Sequence, residues 1–269
     1  MSESTLKNYS RPLAKMAIHF GCDPTNLDFE QVQDYLLYLK ETSTPSRSYF
    51  KHCIYGLRFA FRLQGKEELA LRLPKLERQK DLPVVLSQQE IKLMLKTPQY
   101  LKHRVMLGLL YGCGLRLREL QSLELKDLDF DRMQVHIRNS KYGKSRYVVM
   151  SQILRRGLLK YIESVKPIKY VFNGNQRDRD FAVKISARGV QWVVRSARNT
   201  CQIKKQVTTH TLRHTFATHL LEMGLDLVSI KEQLGHASVQ TTMIYLQVAQ
   251  LDRTRAFSPL DKLYPKQCK

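Results

Sequence analysis

The segment Leu73–Pro83 places the strongest constraint on how this chain can fold. It is charged, carries Pro74 and Pro83 near its two ends, and lacks the regular spacing of apolar residues that a helix needs. This composition is typical of a connection between two compact parts. With 43% hydrophobic residues in a chain of 269, a core can form on each side of it. We therefore predict two domains, residues 1–80 and 81–269, joined by a linker at about 73–83.

The first part has a pattern of helices only. Apolar residues recur at helical spacing over about 4–20, 28–41 and 46–64. The third stretch also carries four cations on one side, next to its apolar stripe: Arg47, Lys51, Arg58 and Arg62. A basic side of a helix suits a solvated surface as well as it suits contact with phosphate. We take these four residues as candidate phosphate contacts.

The second part has a mixed pattern. After a capping box at Ser87 and Glu90, the predicted helices are 101–111, 116–125, 151–164, 187–199, 210–223, 227–234 and 239–247. Two short stretches rich in Val, Ile and Tyr, at 134–138 and 145–150, predict antiparallel strands joined by a turn. The predicted fold class is mainly α: a helical first domain, and a mostly α second domain with a small antiparallel β-sheet.

The net charge indicates the kind of partner. The chain has 45 Lys and Arg residues against 24 Asp and Glu residues, a formal net charge of +21. Residues 1–80 hold only 13 basic and 9 acidic residues, so most of the excess belongs to the second part. Because such an excess opposes compaction, we attribute it to a polyanionic partner, nucleic acid before an anionic membrane.

The sequence gives no sign of membrane insertion or secretion. It has no apolar run of roughly 18 residues, and its first residues include an acid and no apolar core. The five cysteines are far apart and form no C-x-x-C pair, which favours a reducing compartment. No terminal helix is both basic and free to insert an apolar face. We expect a cytoplasmic, nucleoid-associated protein without a membrane partner.

Four clusters in the second part carry side chains that suit chemistry on phosphate. They are Arg116 with Glu119, the turn Lys141–Arg146, the run His210–His219 and the run Leu234–Tyr245. Each has an ordinary explanation alone, such as a surface ion pair, an exposed hairpin tip or a tyrosine in a core. His210 and His214 have the i, i+4 spacing of zinc ligands. No glutamate between them or carboxylate nearby completes a site, so we expect no metal.

Together, six residues in order resemble the active-site set of the tyrosine recombinase (phage integrase) family: Arg116, Lys141, His210, Arg213, His236 and Tyr245. The resemblance rests on the His-x-x-Arg-His, Leu-Gly-His and Tyr motifs and spans residues 85–250. The helical first part is similar to the core-binding domain of that family. Within the family, the chain resembles integron integrases or Xer recombinases. Its tail, residues 257–263, looks like the end of integron integrases. The pair Leu246-Gln247 departs from the Thr-His of many relatives.

The resemblance implies a role for each residue. Arg116 and Arg213 would grip the scissile phosphate, Tyr245 would attack it and Lys141 would act as the general acid. His210 and His236 would support them, and Glu119 would fix the Arg116 helix. The flanking phosphates would meet Arg118, Lys144 and Arg146. Paired guanidiniums suit phosphate oxygens in a way that Lys does not, and they take the role that Mg²⁺ has in two-metal nucleases, so we expect no cofactor.

The implied activity is site-specific DNA recombination. Strands would be cleaved and rejoined through a covalent 3′-phosphotyrosyl intermediate, in integration, excision, inversion or resolution of a mobile element. The implied partner is double-stranded DNA with inverted-repeat core sites, bound by a homo-tetramer. Two alternatives stay open on the sequence: a DNA-binding protein without strand exchange, and a type IB topoisomerase. The candidates for base contacts on the second domain are Arg188, Gln191 and Arg195 on the 187–199 helix.

Overall fold

A computed structural model describes residues 3–42, 45–76, 82–138, 145–174 and 183–249. These residues are mainly helical and include one small antiparallel sheet, which confirms the predicted fold class. The chain divides into two compact units, residues 1–80 and 81–269. Of the predicted linker, residues 77–81 lie outside the described residues, and Leu73 is buried in the core of the first unit.

The described part of the first unit contains four α-helices. They are α1 (Glu3–Phe20), α2 (Phe29–Thr42), α3 (Arg47–Leu63) and α4 (Glu67–Arg72). The first three match the predicted stretches, and Ser46 caps α3 by accepting a hydrogen bond from the Tyr49 N–H. The core contains Met16, Val32 and Ile54, none of which has measurable exposure.

Helix α4 was not predicted, because it is only one and a half turns long and lies close to the linker. Arg58 of α3 holds it in place. The Arg58 Nε donates to the Ala70 carbonyl at 3.1 Å, and its Nη2 donates to the Leu73 carbonyl at 3.1 Å. These carbonyls belong to the end of α4 and the residue after it, where helical partners run out. Arg58 is therefore committed to this unit's own backbone, unlike the free phosphate contact that we expected.

The described part of the second unit contains seven α-helices and a three-stranded sheet. The helices are α5 (Gln88–Lys96), α6 (Leu101–Gly112), α7 (Leu117–Ser122), α8 (Gln152–Val165), α9 (Ala187–Thr200), α10 (Thr209–Glu222) and α11 (Leu227–Leu234). The strands are β1 (Leu128–Asp129), β2 (Gln134–Ile137) and β3 (Arg146–Val149), in the order β1-β2-β3. Strand β1 was not predicted, because two residues are too few to show an alternation.

The sheet leads to the segment that carries Lys141. Ile137 pairs with Arg146 across β2 and β3, and residues 139–144 between these strands lie outside the described residues. Val135 and Val148 face the core, and the rings of His136 and Tyr147 stack on the opposite face with centroids 4.5 Å apart.

Helix α10 lies at the centre of the second unit, since most of its residues are buried. Its close approach to the turn after α6 depends on Gly114. Gly114 has φ +59°, and a Cβ placed there would lie 2.5 Å from Cδ1 of Phe216 on α10. The same helix fastens the start of the unit: the Leu86 N–H donates to Thr215 Oγ1 at 3.1 Å.

Two predicted helices differ in detail from the structure. The helix predicted at 116–125 begins after Arg116, which is its N-terminal cap, and ends at Ser122. The stretch predicted as one helix at 239–247 forms two 3₁₀ segments instead, Val239–Thr241 and Met243–Gln247. The 3₁₀ form follows from tight i to i−3 bonds, such as Tyr245 N–H to the Thr242 carbonyl at 3.1 Å. No helix among the described residues is long and apolar enough to cross a membrane.

Candidate active site

The candidate site forms where the start of α7, the start of α10 and the end of α11 meet. Arg213, in the first turns of α10, is almost completely buried. Its Nη1 donates to the Gly114 carbonyl at 2.6 Å, and its Nη2 donates to the Leu234 carbonyl. Burial, and then the charge of Arg116, lower the pKa of Arg213 to about 9. The guanidinium therefore stays charged at neutral pH, with its orientation set by two backbone groups.

Arg116 caps α7 and is the most exposed arginine of the site, with 22% of its side chain accessible. Its Nη1 donates to Glu119 Oε1 at 2.8 Å, and its Nη2 donates to the Gly235 carbonyl at 3.1 Å. Glu119 also accepts a hydrogen bond from the Arg116 backbone N–H at 2.9 Å. These hydrogen bonds hold the arginine and its carboxylate partner together as one preorganised unit at the helix start.

Glu119 is the electrostatic centre of the site. Burial alone would raise its pKa, but hydrogen bonds and charge from Arg146, together with the N–H and guanidinium of Arg116, outweigh burial and lower the pKa to about 2. Arg213 Nη1 lies 3.9 Å from Glu119 Oε2. In the part of the chain that the structure describes, this one carboxylate pairs with three arginines. The cluster carries more positive than negative charge.

The end of α11 accepts one hydrogen bond from each of these arginines. The carbonyls of Gln233, Leu234 and Gly235 receive donors from Arg146, Arg213 and Arg116, respectively. The last carbonyls of a helix have no helical partner and carry the negative end of its dipole, so cations are favoured there. Gly235 ends the helix with φ +61°. His236 follows directly and is therefore held close to the arginines.

Tyr245 lies beside this cluster in the second 3₁₀ segment. It is 1% exposed, and its Oη is 3.1 Å from Nδ1 of His214 on α10. Burial raises the pKa of Tyr245, and the charges of Arg213 and Arg116 offset part of that rise. Burial, followed by the charges of His210 and Arg213, lowers the pKa of His214 to about 4. At neutral pH the pair therefore consists of a protonated phenol and a neutral imidazole.

The other two histidines lie around the tyrosine. The His236 ring centroid is 6.4 Å from that of Tyr245, and His236 Nδ1 is 3.0 Å from Thr242 Oγ1. Burial and then Arg213 lower the pKa of His236 to about 3. The His210 and His214 ring centroids are 6.3 Å apart. The residue His210 is exposed as a whole, but partial desolvation by its neighbours, followed by the charge of Arg213, lowers its pKa. Both imidazoles are neutral at pH 7.

The structure brings together five of the six residues named from the sequence: Arg116, His210, Arg213, His236 and Tyr245. The sixth, Lys141, lies outside the described residues, as does Lys144. Sequence reasoning placed His214 on the same helix face as His210 but gave it no role. His214 contacts Tyr245, which is 31 positions away in the sequence. The helical spacing of His210 and His214 does not predict this contact.

Arg146 corrects another expectation. We expected it to touch a flanking phosphate, but its side chain is 8% exposed and is bound to Glu119 and to the Gln233 carbonyl. Arg118 is exposed, as a phosphate contact would require. On the first unit, Arg47 and Arg62 are exposed, whereas Lys51 is half-buried with its Nζ 5.5 Å from the Tyr55 ring centroid.

Helix α9 presents a polar stripe in the second unit. Arg188, Gln191 and Arg195 are all exposed, and Trp192 between them is 57% exposed. Val190, Val193 and Val194 on the other side pack into the core. The three residues sought from the sequence as base contacts therefore share one accessible face.

The donor groups of the site suit an anion better than a cation. Among the described residues, no three His, Cys, Asp or Glu side chains cluster in a way that could hold a metal ion. Arginine guanidiniums carry several N–H donors in a planar fork, which fits the oxygens of a phosphate. Beside them lie a phenol oxygen and a neutral imidazole. The arrangement therefore suits a nucleophilic attack on a phosphodiester.

Comparison with known proteins places the chain among enzymes of this chemistry. Residues 84–251 match the phage integrase family. The chain is 33% identical over 264 residues to a putative integrase/recombinase, y4qK, of Sinorhizobium fredii, covering 97% of this chain and 84% of the relative. It is 33% identical over 248 residues to the tyrosine recombinase XerA of Pyrococcus horikoshii, covering 92% and 84%.

Solved structures show the same fold. The structure of the XerH site-specific recombinase bound to palindromic difH substrate matches with a TM-score of 0.73 and 21% identity, covering 96% of this chain and 78% of that one. The family match extends over more than half of the chain, and both relatives are covered over most of their length. The chain therefore belongs to the phage integrase family, and it is a tyrosine recombinase, an enzyme that transfers DNA strands in site-specific recombination.

Proposed function

We propose that Tyr245 is the nucleophile of this recombinase and that His214 receives its proton. The observation that carries the proposal is the 3.1 Å contact between Tyr245 Oη and His214 Nδ1, next to the buried arginines. Ionising a free tyrosine at pH 7 costs about 4 kcal/mol, since its pKa is near 10. A neutral imidazole in contact with the hydroxyl supplies an acceptor for that proton as the new bond forms.

The arginines bind and stabilise the phosphate. Three guanidiniums share one carboxylate, so the site has an excess of positive charge that the negative charge of a phosphodiester would neutralise. The negative charge of the phosphate grows in the transition state, and preoriented donors in a water-poor site stabilise it at little reorganisation cost. Arg116 is the most accessible of the three and Arg213 is the one deepest in the site, so these two are the proposed phosphate ligands.

The reaction then balances as follows. The Tyr245 oxygen forms a bond to phosphorus, the bond to the 5′-oxygen breaks, and the phenol proton passes to His214. The departing 5′-oxygen takes a proton from a general acid, for which Lys141 remains the candidate by resemblance. The covalent tyrosyl phosphate keeps the energy of the broken linkage, so a second 5′-hydroxyl can reseal the strand without an added energy source.

The supporting histidines hold the tyrosine segment. His236 contacts Thr242 Oγ1, and the Thr242 carbonyl in turn accepts a hydrogen bond from the Tyr245 N–H. Because Tyr245 is 1% exposed, the groups that cover its ring have to move for a phosphate in DNA to reach its oxygen while the His214 contact is kept. Rearrangement of a short 3₁₀ segment involves few backbone hydrogen bonds, which makes such a movement inexpensive.

The proposed substrate is double-stranded DNA with inverted-repeat core sites, bound by four copies of this chain. Two strand cuts at each of two sites require four nucleophiles, which supports the tetramer. The palindromic substrate of XerH supports the repeats. The net charge of +21 supports extended contact with the DNA backbone, through exposed residues such as Arg47, Arg62 and Arg118. The same charge supports a cytoplasmic, nucleoid-associated location, and the resemblance to integron integrases supports a role in a mobile element.

A covalent-trapping experiment tests the nucleophile. DNA duplexes that the protein binds are first selected from a random library, and a nick is placed beside the candidate scissile phosphate so that the released end diffuses away. Wild-type protein should form an adduct that survives denaturant, and Tyr245→Phe should form none. Tyr147→Phe, an exposed tyrosine on the sheet, is the matched control and should behave as wild type.

Each of two results would overturn a different part of this proposal, the nucleophile or the strand exchange. An adduct formed by Tyr245→Phe at the wild-type level would show that another residue attacks. Relaxation of supercoiled DNA without exchange between two sites would point instead to topoisomerase activity of the same chemistry.

A further inference from the structure

We propose that Arg146 is a positioning residue that holds Arg116 in its phosphate-binding orientation through Glu119. This inference rests on the proposed function, since it concerns the arginine that meets the phosphate. It assigns Arg146 a role inside the site and replaces the flanking-phosphate contact expected from the sequence.

The contacts of Arg146 are all directed inward. Its Nη1 donates to Glu119 Oε1 at 2.9 Å, and its Nη2 donates to Glu119 Oε2 at 2.8 Å. Its Nε donates to the Gln233 carbonyl at 2.7 Å. The guanidinium therefore binds both oxygens of one carboxylate on one edge and the end of α11 on the other. A bidentate pair of this kind fixes the plane of the carboxylate.

Glu119 passes that orientation to Arg116. The Oε1 atom accepts from both Arg116 Nη1 and Arg146 Nη1, and the Oε2 atom accepts from both the Arg116 N–H and Arg146 Nη2. If the Arg146 fork is lost, the hydrogen bonds left to the carboxylate come only from Arg116, with Arg213 Nη1 3.9 Å away, so the carboxylate is freer to rotate. Arg213 makes its hydrogen bonds to the Gly114 and Leu234 carbonyls, and these do not involve the carboxylate.

Gly235 leaves the space that the Arg146 side chain occupies. A Cβ on Gly235 would lie 3.0 Å from Arg146 Cδ and 3.2 Å from its Nη1. Gly235 thus serves two purposes, since its φ of +61° also ends α11. Lysine would keep the positive charge in this space. It has no planar fork, so it cannot hold both carboxylate oxygens and the Gln233 carbonyl together.

The first test compares Arg146→Lys with Arg138→Lys. Arg138 stands on the other arm of the same hairpin, where it pairs with Asp127 and Glu124 and has no contact with Glu119. In single-turnover cleavage at saturating DNA, we expect Arg146→Lys to form adduct about 10²-fold more slowly than wild type, since small misplacements of a catalytic group cost about that much. Arg138→Lys should stay within about threefold, and DNA affinity should be unchanged in both.

The second test is a double-mutant cycle with Arg116→Lys. If Arg146 acts through Arg116, adding Arg146→Lys to Arg116→Lys should slow cleavage by less than about threefold further. A merely structural role of Arg146 would lower the rate by the same factor in both backgrounds, and that result would overturn the proposal. Circular dichroism and thermal unfolding confirm that each variant is folded, and Glu119→Gln, which removes the charge but keeps the shape, should reproduce the Arg146→Lys rate.

A modified substrate tests whether Arg146 acts on Arg116 or on Lys141, the candidate general acid. Sulfur in place of the bridging 5′-oxygen gives a leaving group that departs without a proton from a general acid. Under our proposal, the Arg146→Lys defect persists on this substrate. Restoration of the wild-type rate would overturn the proposal, because it would place the defect at proton donation. If wild-type protein itself forms no adduct, the proposed function fails and not this inference alone.

Discussion

The contact between His214 and Tyr245 leads to a prediction that separates the structure from the sequence reading. From the sequence, His210 and His236 are the expected supporting pair, and His214 has no role. In the structure, His214 contacts the phenol oxygen and His210 is exposed one turn away. We therefore compare His214→Gln with His210→Gln, a matched pair in which the glutamine keeps hydrogen-bonding ability but cannot take up a proton at neutral pH.

The expected effect follows from the role of a proton acceptor. General-base assistance contributes about 10² to 10⁴ in rate, or about 3–5 kcal/mol of transition-state free energy. We expect His214→Gln to slow single-turnover adduct formation by at least about 10²-fold. His210→Gln should slow it by less than about tenfold, because its contribution reaches Tyr245 only through the neighbouring imidazole. The covalent adduct, separated in denaturant and followed over time, gives both rates.

The pH dependence provides a second measurement on the same pair. The pKa of His214 is about 4, well below its usual 6.5, so the imidazole is neutral and able to accept a proton down to about pH 5. Adduct formation by wild type should therefore change little from pH 7 to pH 5 for this reason and fall as the pH approaches 4. An NMR titration of the histidine rings reports the pKa directly.

The lowered pKa also affects stability, with a definite sign. His214 binds a proton near pH 6.5 in the unfolded chain but only near pH 4 in the folded chain. Lowering the pH from 6.5 to 4 therefore favours unfolding. Rates are therefore read only where circular dichroism shows folded protein. Equal losses in His214→Gln and His210→Gln, or an imidazole that is charged at pH 6 in the folded protein, would refute the reasoning.

Three further predictions concern other parts of the molecule. Gly114→Ala should lower the free energy of unfolding by about 3 kcal/mol or more, because its φ is positive and its Cβ would overlap an α10 ring, whereas Gly112→Ala should change it by less than about 1 kcal/mol in urea unfolding; equal effects would contradict the packing argument. The fluorescence of Trp192, the one tryptophan of the chain, should change on titration with DNA that the protein binds, and an unchanged spectrum at saturation would argue against α9 as a contact. Arg58→Gln should lower the thermal stability of the protein, whereas Arg62→Gln should leave it unchanged and weaken DNA binding in a salt-dependent way; the reverse result would restore Arg58 as a phosphate contact.

The sequence predicted the parts of the fold that local patterns determine. Long amphipathic helices such as α3 and α9 came within one or two residues of their observed ends, because a full apolar stripe and a capping serine mark them. The two-residue strand β1 and the short helix α4 give too few residues for a period to appear. The 3₁₀ form of 239–247 could not be foreseen, because its apolar spacing also suits an α-helix.

The sequence predicted several residues that the structure brings together in the candidate site, but not the contacts that orient them. Arg116, Arg213 and Tyr245 stood out by motif and order, and the structure brings them together. The partners that orient them are mostly backbone carbonyls and residues remote in sequence, such as the Gly235 carbonyl, 119 positions from Arg116. A backbone carbonyl is present at every residue, so no sequence pattern marks the one that will be used. Arg146 was misassigned because its partners, the Gln233 carbonyl and Glu119, are remote in sequence, so from the sequence it looks like any exposed cation near a hairpin turn.

The carbonyls at the end of α11 have a consequence for which mutations the site can tolerate. Because these three acceptors belong to the main chain, replacing the side chain of Gln233 or Leu234 leaves them chemically intact. A single-residue deletion within α11 is different, since each residue turns a helix by 100° and advances it by 1.5 Å. One lost residue would rotate all three acceptors away from their arginines at once. The length of this short helix, more than its composition, sets the orientation of these three arginines.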